Sequence, residues 1–191
     1  MKTLVFACCT FAALFAQATN YVAFVNVGGA VADQVLAKCV TNDLKALVCV
    51  DARIEKTDAI RVSDLIATAA KGYPRGDRQI AVYFVNSPDF PPQITVPHHL
   101  AIVNVRGLDK GADAKLHQKR IYKMTLKGLA FACGFGASMD RKCVMGIDSF
   151  DNLKGIDETY DSYSPFCMMP LESYLNKRKL MWIDPNEKYD E

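Results

Sequence analysis

The stretch LKGLAFACGFGASMDRKCVM, residues 126–145, decides how this chain is read. Leu126, Leu129, Ala130 and Cys133 recur at helical spacing, so they share one face of a helix that extends back to about residue 114. Gly134 and Gly136 follow the last of them and mark its end, because glycine tolerates the left-handed conformation in which helices commonly stop. A polar turn then leads to Cys143, Val144 and Met145. Taken alone, these residues describe a core helix ending in glycine and carry no chemistry.

Working outward, the preceding sequence alternates strands with helices. YVAFVNV (21–27) reads as a strand that ends at Gly28-Gly29, and Val31, Val35, Leu36 and Cys39 follow at helical spacing over 30–44. A second strand is expected over 45–55 and a second helix over 62–72, with Ser63 as a possible N-cap. RQIAVYFVNS (78–87) is a third strand, nearly continuous in apolar residues, as a strand covered on both faces should be. SPDFPPQITVP reads as a proline-broken loop, and HLAIVNV (99–105) as a fourth strand. Beyond Gly134 the pattern becomes irregular up to Pro170, with a short helix expected over 171–179. The order predicts an α/β sandwich, a mixed sheet with flanking helices and an irregular C-terminal part.

Half of the 191 residues are hydrophobic, enough for one domain with a sizeable core. Residues 1–18 read as a cleavable signal peptide: Lys2 supplies the charge, 3–15 the apolar region and Ala16-Gln17-Ala18 the cleavage signature. That leaves 19–191 as a single exported domain, secreted or periplasmic, with no membrane span. Loss of Lys2 lowers the formal net charge from +2 to +1, so the mature chain lacks the basic footprint of a nucleic-acid partner. Export favours disulfides, and five cysteines remain: Cys39, Cys49, Cys133, Cys143 and Cys167. The short connection between Cys39 and Cys49 allows a bridge, and two free thiols fit the sequence as well.

The quoted stretch, taken with these flanks, resembles the archaemetzincins, a branch of the metzincin zinc peptidases. Metzincins carry H-E-x-x-H-x-x-G-x-x-H followed by a Met-turn, and archaemetzincins add x3-C-x4-C-x-M after the motif glycine and a later C-x-x-C, whose four cysteines hold a second zinc. With Gly134 on the motif glycine, Cys143 and Met145 fall on the second cysteine and the Met-turn methionine, and Cys167 on the first cysteine of C-x-x-C. HHLAIVNVRGL before the helix and SFDNLKGID after Met145 resemble the family's flanking segments. The segment from Met145 to Cys167 is several residues longer than in the family.

On this register the three zinc histidines are replaced by Lys127, Phe131 and Ala137, and the general-base glutamate by Gly128. A charged lysine offers no lone pair, and Phe, Ala and Gly offer no ligand or base at all. Ser138 and Pro170 replace one cysteine of each pair in the second site, and the resemblance implies a disulfide between the two that remain, Cys143 and Cys167. The expectation is therefore a degenerate metzincin-like domain without metal or cofactor, acting on an unknown peptide or protein ligand as a binding or scaffold module. An active hydrolase with other ligands and an unrelated exported α/β domain are the alternatives. His98, His99 and His117 do not suggest a metal site, because adjacent strand residues point to opposite faces. Asp148, Asp151, Asp157 and Asp161 lack the spacing of a calcium loop, and Tyr160, Tyr163 and Phe166 either cover the cleft or line a binding surface.

Overall fold

The structure, a computed structural model, describes residues 20–70, 78–88, 93–96, 99–146 and 153–181. The expected signal peptide, His98, Asp148 and Asp151 lie outside the described residues. In chain order the elements are β1 (Tyr21–Val27), α1 (Asp33–Ala37), a π-helical segment (Lys38–Leu44), α2 (Lys45–Val48), β2 (Ala52–Thr57), α3 (Val62–Ala70), β3 (Arg78–Val85), β4 (Gln93–Val96), β5 (Leu100–Asn104), α4 (Ala114–Ala132), α5 (Leu153–Glu158) and α6 (Pro165–Lys177). The sheet order is β2-β1-β3-β5-β4. β2, β1, β3 and β5 run parallel, and β4 closes the edge antiparallel to β5. The fold is the mixed α/β sheet with flanking helices that the sequence predicts.

Strand residues alternate between two cores. Val22, Phe24, Val82, Phe84, Ala101 and Val103 pack with the π-helical segment and α4. Ala23, Val25, Ala81, Tyr83 and Ile102 pack on the other side with Val62 and Leu65 of α3. Because β1, β3 and β5 are covered on both faces, their apolar residues run almost without interruption. The turn after β1 is pinned by Asn26, whose side chain donates to Val31 O at 2.7 Å and accepts from Val31 N at 3.0 Å. That closure places Gly28 and Gly29 at φ of 58° and 69°, conformations that suit glycine.

Four local expectations are corrected. Lys45–Val48 is helical and not part of a strand: Cys49 ends it in the left-handed conformation at φ 50°, and the next strand starts only at Ala52. The apolar run 46–50 fits either period, so periodicity could not separate the two. Ser63 lies inside α3, and it is Arg61 O that accepts from Asp64 and Leu65. Gln93–Val96, within the proline-rich stretch, is the edge strand β4, and a sheet edge is the place where a sequence rich in proline can still supply a strand. Finally, α6 begins at Pro165 and runs through Pro170, which reads as a break in the sequence. An interior proline costs about 3 kcal/mol, but burial of Leu171 and Leu175 offsets it at about 1.5–3 kcal/mol each.

Helix α4 follows local signals closely. The Asp113 carboxylate accepts from Leu116 N at 2.7 Å, capping the start. At the other end Gly134 takes φ 88°, Gly134 N donates to Phe131 O and Phe135 N to Ala130 O. That pair of bonds is a Schellman motif and is the reason the helix stops where it does.

Candidate functional site

The face of α4 turned away from the sheet buries a row of cations, Arg120, Lys123 and Lys127. The Arg120 guanidinium grips both oxygens of Asp157 at 2.9 and 2.8 Å and donates to the carbonyls of Leu108 and Lys110. The hydrogen bonds from Arg120, with the guanidinium charge adding to them against the effect of burial, hold the Asp157 carboxyl below the usual carboxylate range. Lys123 donates to the carbonyls of Ile156 and Asp157 at the C-terminal end of α5, at 2.7 and 3.2 Å, and to Thr159 O. An ammonium meeting terminal helix carbonyls satisfies groups the helix leaves unpaired.

Lys127 is the deepest of the three, with no exposed surface. Burial above all, and then repulsion from Lys123, pushes its ammonium down to about 7, with Cys143 acting in the opposite direction. Its neighbour Gly128 faces the sheet. A Cβ there would sit 2.7 Å from Val82 Cγ1 and 2.8 Å from Val103 Cγ2, so the helix lies on β3 and β5 only because this position has no side chain. Phe131 is half-buried against the same core, while Ala137 lies exposed beyond the turn. Met145 is buried in a tight turn: Gly146 N donates to Cys143 O at 2.8 Å and Ser138 N to Met145 O at 2.7 Å. The turn has the expected position, but Lys127, Gly128, Phe131 and Ala137 present no imidazole or carboxylate, and position 128 has no room for one. The residues do not fit a catalytic zinc.

They do not fit a second zinc either. Cys143 and Cys167 meet, with their Sγ atoms 3.7 Å apart, while the first and last of the four matched positions hold Ser138 and Pro170. Among the described residues no three His, Cys, Asp or Glu side chains converge on a common point. The expected Cys143–Cys167 bond is absent, because 3.7 Å is a contact between thiols and a disulfide spans about 2.05 Å. Cys39 and Cys49 are also unbridged: Cys39 is buried with its thiol toward Gln118 O on α4, and Cys49 is exposed at the end of α2. Cys133 is a free buried thiol.

The remaining candidates separate. His99 and His117 lie near opposite ends of α4, about 20 Å apart along a helix rising 1.5 Å per residue. Asp157 is bound to Arg120, and Asp161 lies 3.0 Å from Lys119 Nζ and 3.6 Å from Lys123 Nζ. Tyr163 is buried and donates to Leu126 O, closing the space below α4, while Tyr160 and Phe166 stay exposed. The sequence reading missed one cluster. His99, held at φ 66°, meets Tyr174 Oη through Nδ1 at 2.8 Å and Arg178 Nη2 through Nε2 at 3.1 Å. Arginine only donates, so Nε2 accepts and the neutral ring carries its proton on Nδ1. The i, i+4 spacing of Tyr174 and Arg178 was the one available signal, and it did not name a partner.

Two crevices of about 490 and 590 Å³ lie at the carboxyl ends of β1, β2 and β3, around Gly28, Gly29 and Ala59. Their side chains carry both signs, Lys56 and Arg61 against Asp33 and Asp58, and three of these four are already in ion pairs, Lys56 with Asp33 at 2.6 Å and Arg61 with Asp64 at 3.1 Å. They define no ligand charge.

No protein-family model and no curated protein matches this chain. Solved structures do match it. The archaemetzincin of Methanopyrus kandleri superposes with a TM-score of 0.66 at 17% identity, over 85% of this chain and 99% of that one. A zinc-dependent peptidase from Methanocorpusculum labreanum gives 0.58 at 14% identity, over 78% and 99%. With the helix, glycine stop and buried Met-turn in place, the chain has an archaemetzincin-like fold.

Proposed function

We propose that the chain is an exported, catalytically inactive archaemetzincin-like domain that binds a peptide or protein ligand. The observation that carries this reading is the closed pair at the motif: Lys127 is buried where a zinc imidazole would stand, and Gly128 is packed on Val82 and Val103 where the general base would stand. Single substitution cannot restore such a site, because a glutamate at 128 has no volume to occupy. The binding role is supported by β4, which among the described residues pairs only with β5 and so leaves one edge of hydrogen-bonding groups for an added strand. The antiparallel edge beside α4 and the match to solved peptidase folds speak against an unrelated α/β domain. The active-hydrolase alternative has no residue set to support it among those described.

The test is metal content and peptide hydrolysis measured together on purified mature protein. The expected outcome is less than stoichiometric zinc and no turnover of a mixed peptide library. One zinc per chain, with hydrolysis lost on chelation and regained with zinc, would overturn the reading. N-terminal sequencing of the exported product checks the leader, and a start other than Thr19 would correct its boundary. Hydrogen exchange reports the binding role: peptide addition should slow the amides of 93–96.

A further inference from the structure

The geometry points to Cys143 and Cys167 as a thiol–disulfide exchange pair, with Cys167 as the attacking thiol, Cys143 as the resolving thiol and a low-molecular-weight disulfide as the oxidant. This is independent of whether the domain binds peptides.

The two sulfurs stand 3.7 Å apart across 24 residues of chain, so closing the bond needs a shift of less than 2 Å. The pair is asymmetric in a way that assigns the roles. Cys167 is partly exposed in the first turn of α6, within reach of a solute. Cys143 is 1% exposed, so no external disulfide reaches it first. Its sulfur is nevertheless set in a polar cradle: Ser164 N donates to it at 3.2 Å and Met145 N at 3.4 Å. The Ser164 hydroxyl is buried beside this sulfur, close enough to favour its thiolate, and makes no well-formed hydrogen bond to any described residue. Buried hydroxyls are rarely left so, and a thiolate at Cys143 would supply the missing acceptor. Burial pushes the Cys143 thiol up, and these three donors act against that.

The steps balance. The Cys167 thiolate attacks one sulfur of the external disulfide, forming a mixed disulfide and releasing one thiolate, which takes up a proton. Cys143 gives its proton to solvent, its thiolate attacks Cys167 Sγ, and the second external thiolate leaves. The protein loses two thiol protons and two electrons, and the external disulfide is reduced to two thiols.

The folded protein, incubated in oxidised and reduced glutathione at several ratios, is quenched in acid and mapped without reduction. Cys49, an exposed free thiol, serves as the internal comparator: it should carry glutathione, whereas wild-type Cys167 should appear joined to Cys143. In Cys143→Ser the resolving step is gone, and Cys167 should instead accumulate one glutathionyl group. In Cys167→Ser no glutathione should reach Cys143. Recovery of wild-type Cys143 and Cys167 as free thiols in buffer that modifies Cys49 would overturn the proposal, as would a stable glutathionyl group on wild-type Cys167. The wild-type map decides the matter even if a variant fails to fold.

Discussion

Lys127→Met tests the central feature of the site, a cation kept in the core. The folded lysine sits at about 7, against 10.5 for the free side chain. A depressed lysine works against folding while it is charged, and the burden lifts as pH rises from about 7 toward 10.5, because there the unfolded chain holds a proton that the folded one has lost. At 1.36 kcal/mol per unit the burden is about 5 kcal/mol at pH 5, about 4 at pH 7 and about 2 at pH 9. Methionine has similar volume and no charge, so the variant escapes this burden. It also strands the groups the ammonium contacts, at a cost of about 1–3 kcal/mol that does not vary with pH. Lys127→Met is therefore expected to stabilise the domain by about 2 kcal/mol at pH 7 and to lose that advantage by pH 9. Lys123 and Cys143 face Lys127 and are present in both proteins, so their titration largely cancels. Urea unfolding of both proteins at pH 6, 7, 8 and 9 gives the difference directly. A difference that stays flat over that range would falsify the assignment of Lys127 as a desolvated cation, whatever its sign at pH 7.

Gly128→Ala gains about 1 kcal/mol in helix propensity but pushes a Cβ into two valine methyls, so a net loss of about 1–2 kcal/mol is expected. Combining it with Val103→Ala should be less than additive, and a Gly128→Ala variant as stable as wild type would refute the close approach. Asp157→Asn should destabilise the domain near neutrality by removing the carboxylate that Arg120 grips. Because that carboxyl is held low, its contribution is present above the ordinary carboxylate range and is lost as pH falls through the depressed value. The two proteins should therefore converge in acid, and a gap that persists at the lowest pH would count against the ion pair. A chelator should leave the melting temperature of the purified protein unchanged, since no residue set among those described holds a structural zinc; a fall of several degrees would show that one is bound.

Much of this fold rests on signals that act over a few residues. The β1 boundaries follow from an apolar run that ends at two glycines. The extent of α4 follows from Asp113 reaching forward to Leu116 and from Gly134 accepting a positive φ. These interactions lie within one helical turn of the residue that makes them, so a linear reading finds them. Gly134, Cys143, Met145 and Cys167 are spread over a longer stretch, and it was the family resemblance they carry that implied the meeting of the two thiols. Other features depend on groups far away in sequence. Gln93–Val96 becomes a strand only because β5 offers a free edge, Pro170 is tolerated because Leu171 and Leu175 find a core, and Lys45–Val48 turns helical in an apolar run that suits either period. His99 gained its role from Tyr174 and Arg178, some 75 and 79 residues on. Lys127 shows the division most plainly. Its identity is visible in the chain, but its charge depends on its complete burial in the folded domain, and desolvation is a property of the folded volume that no run of residues carries by itself.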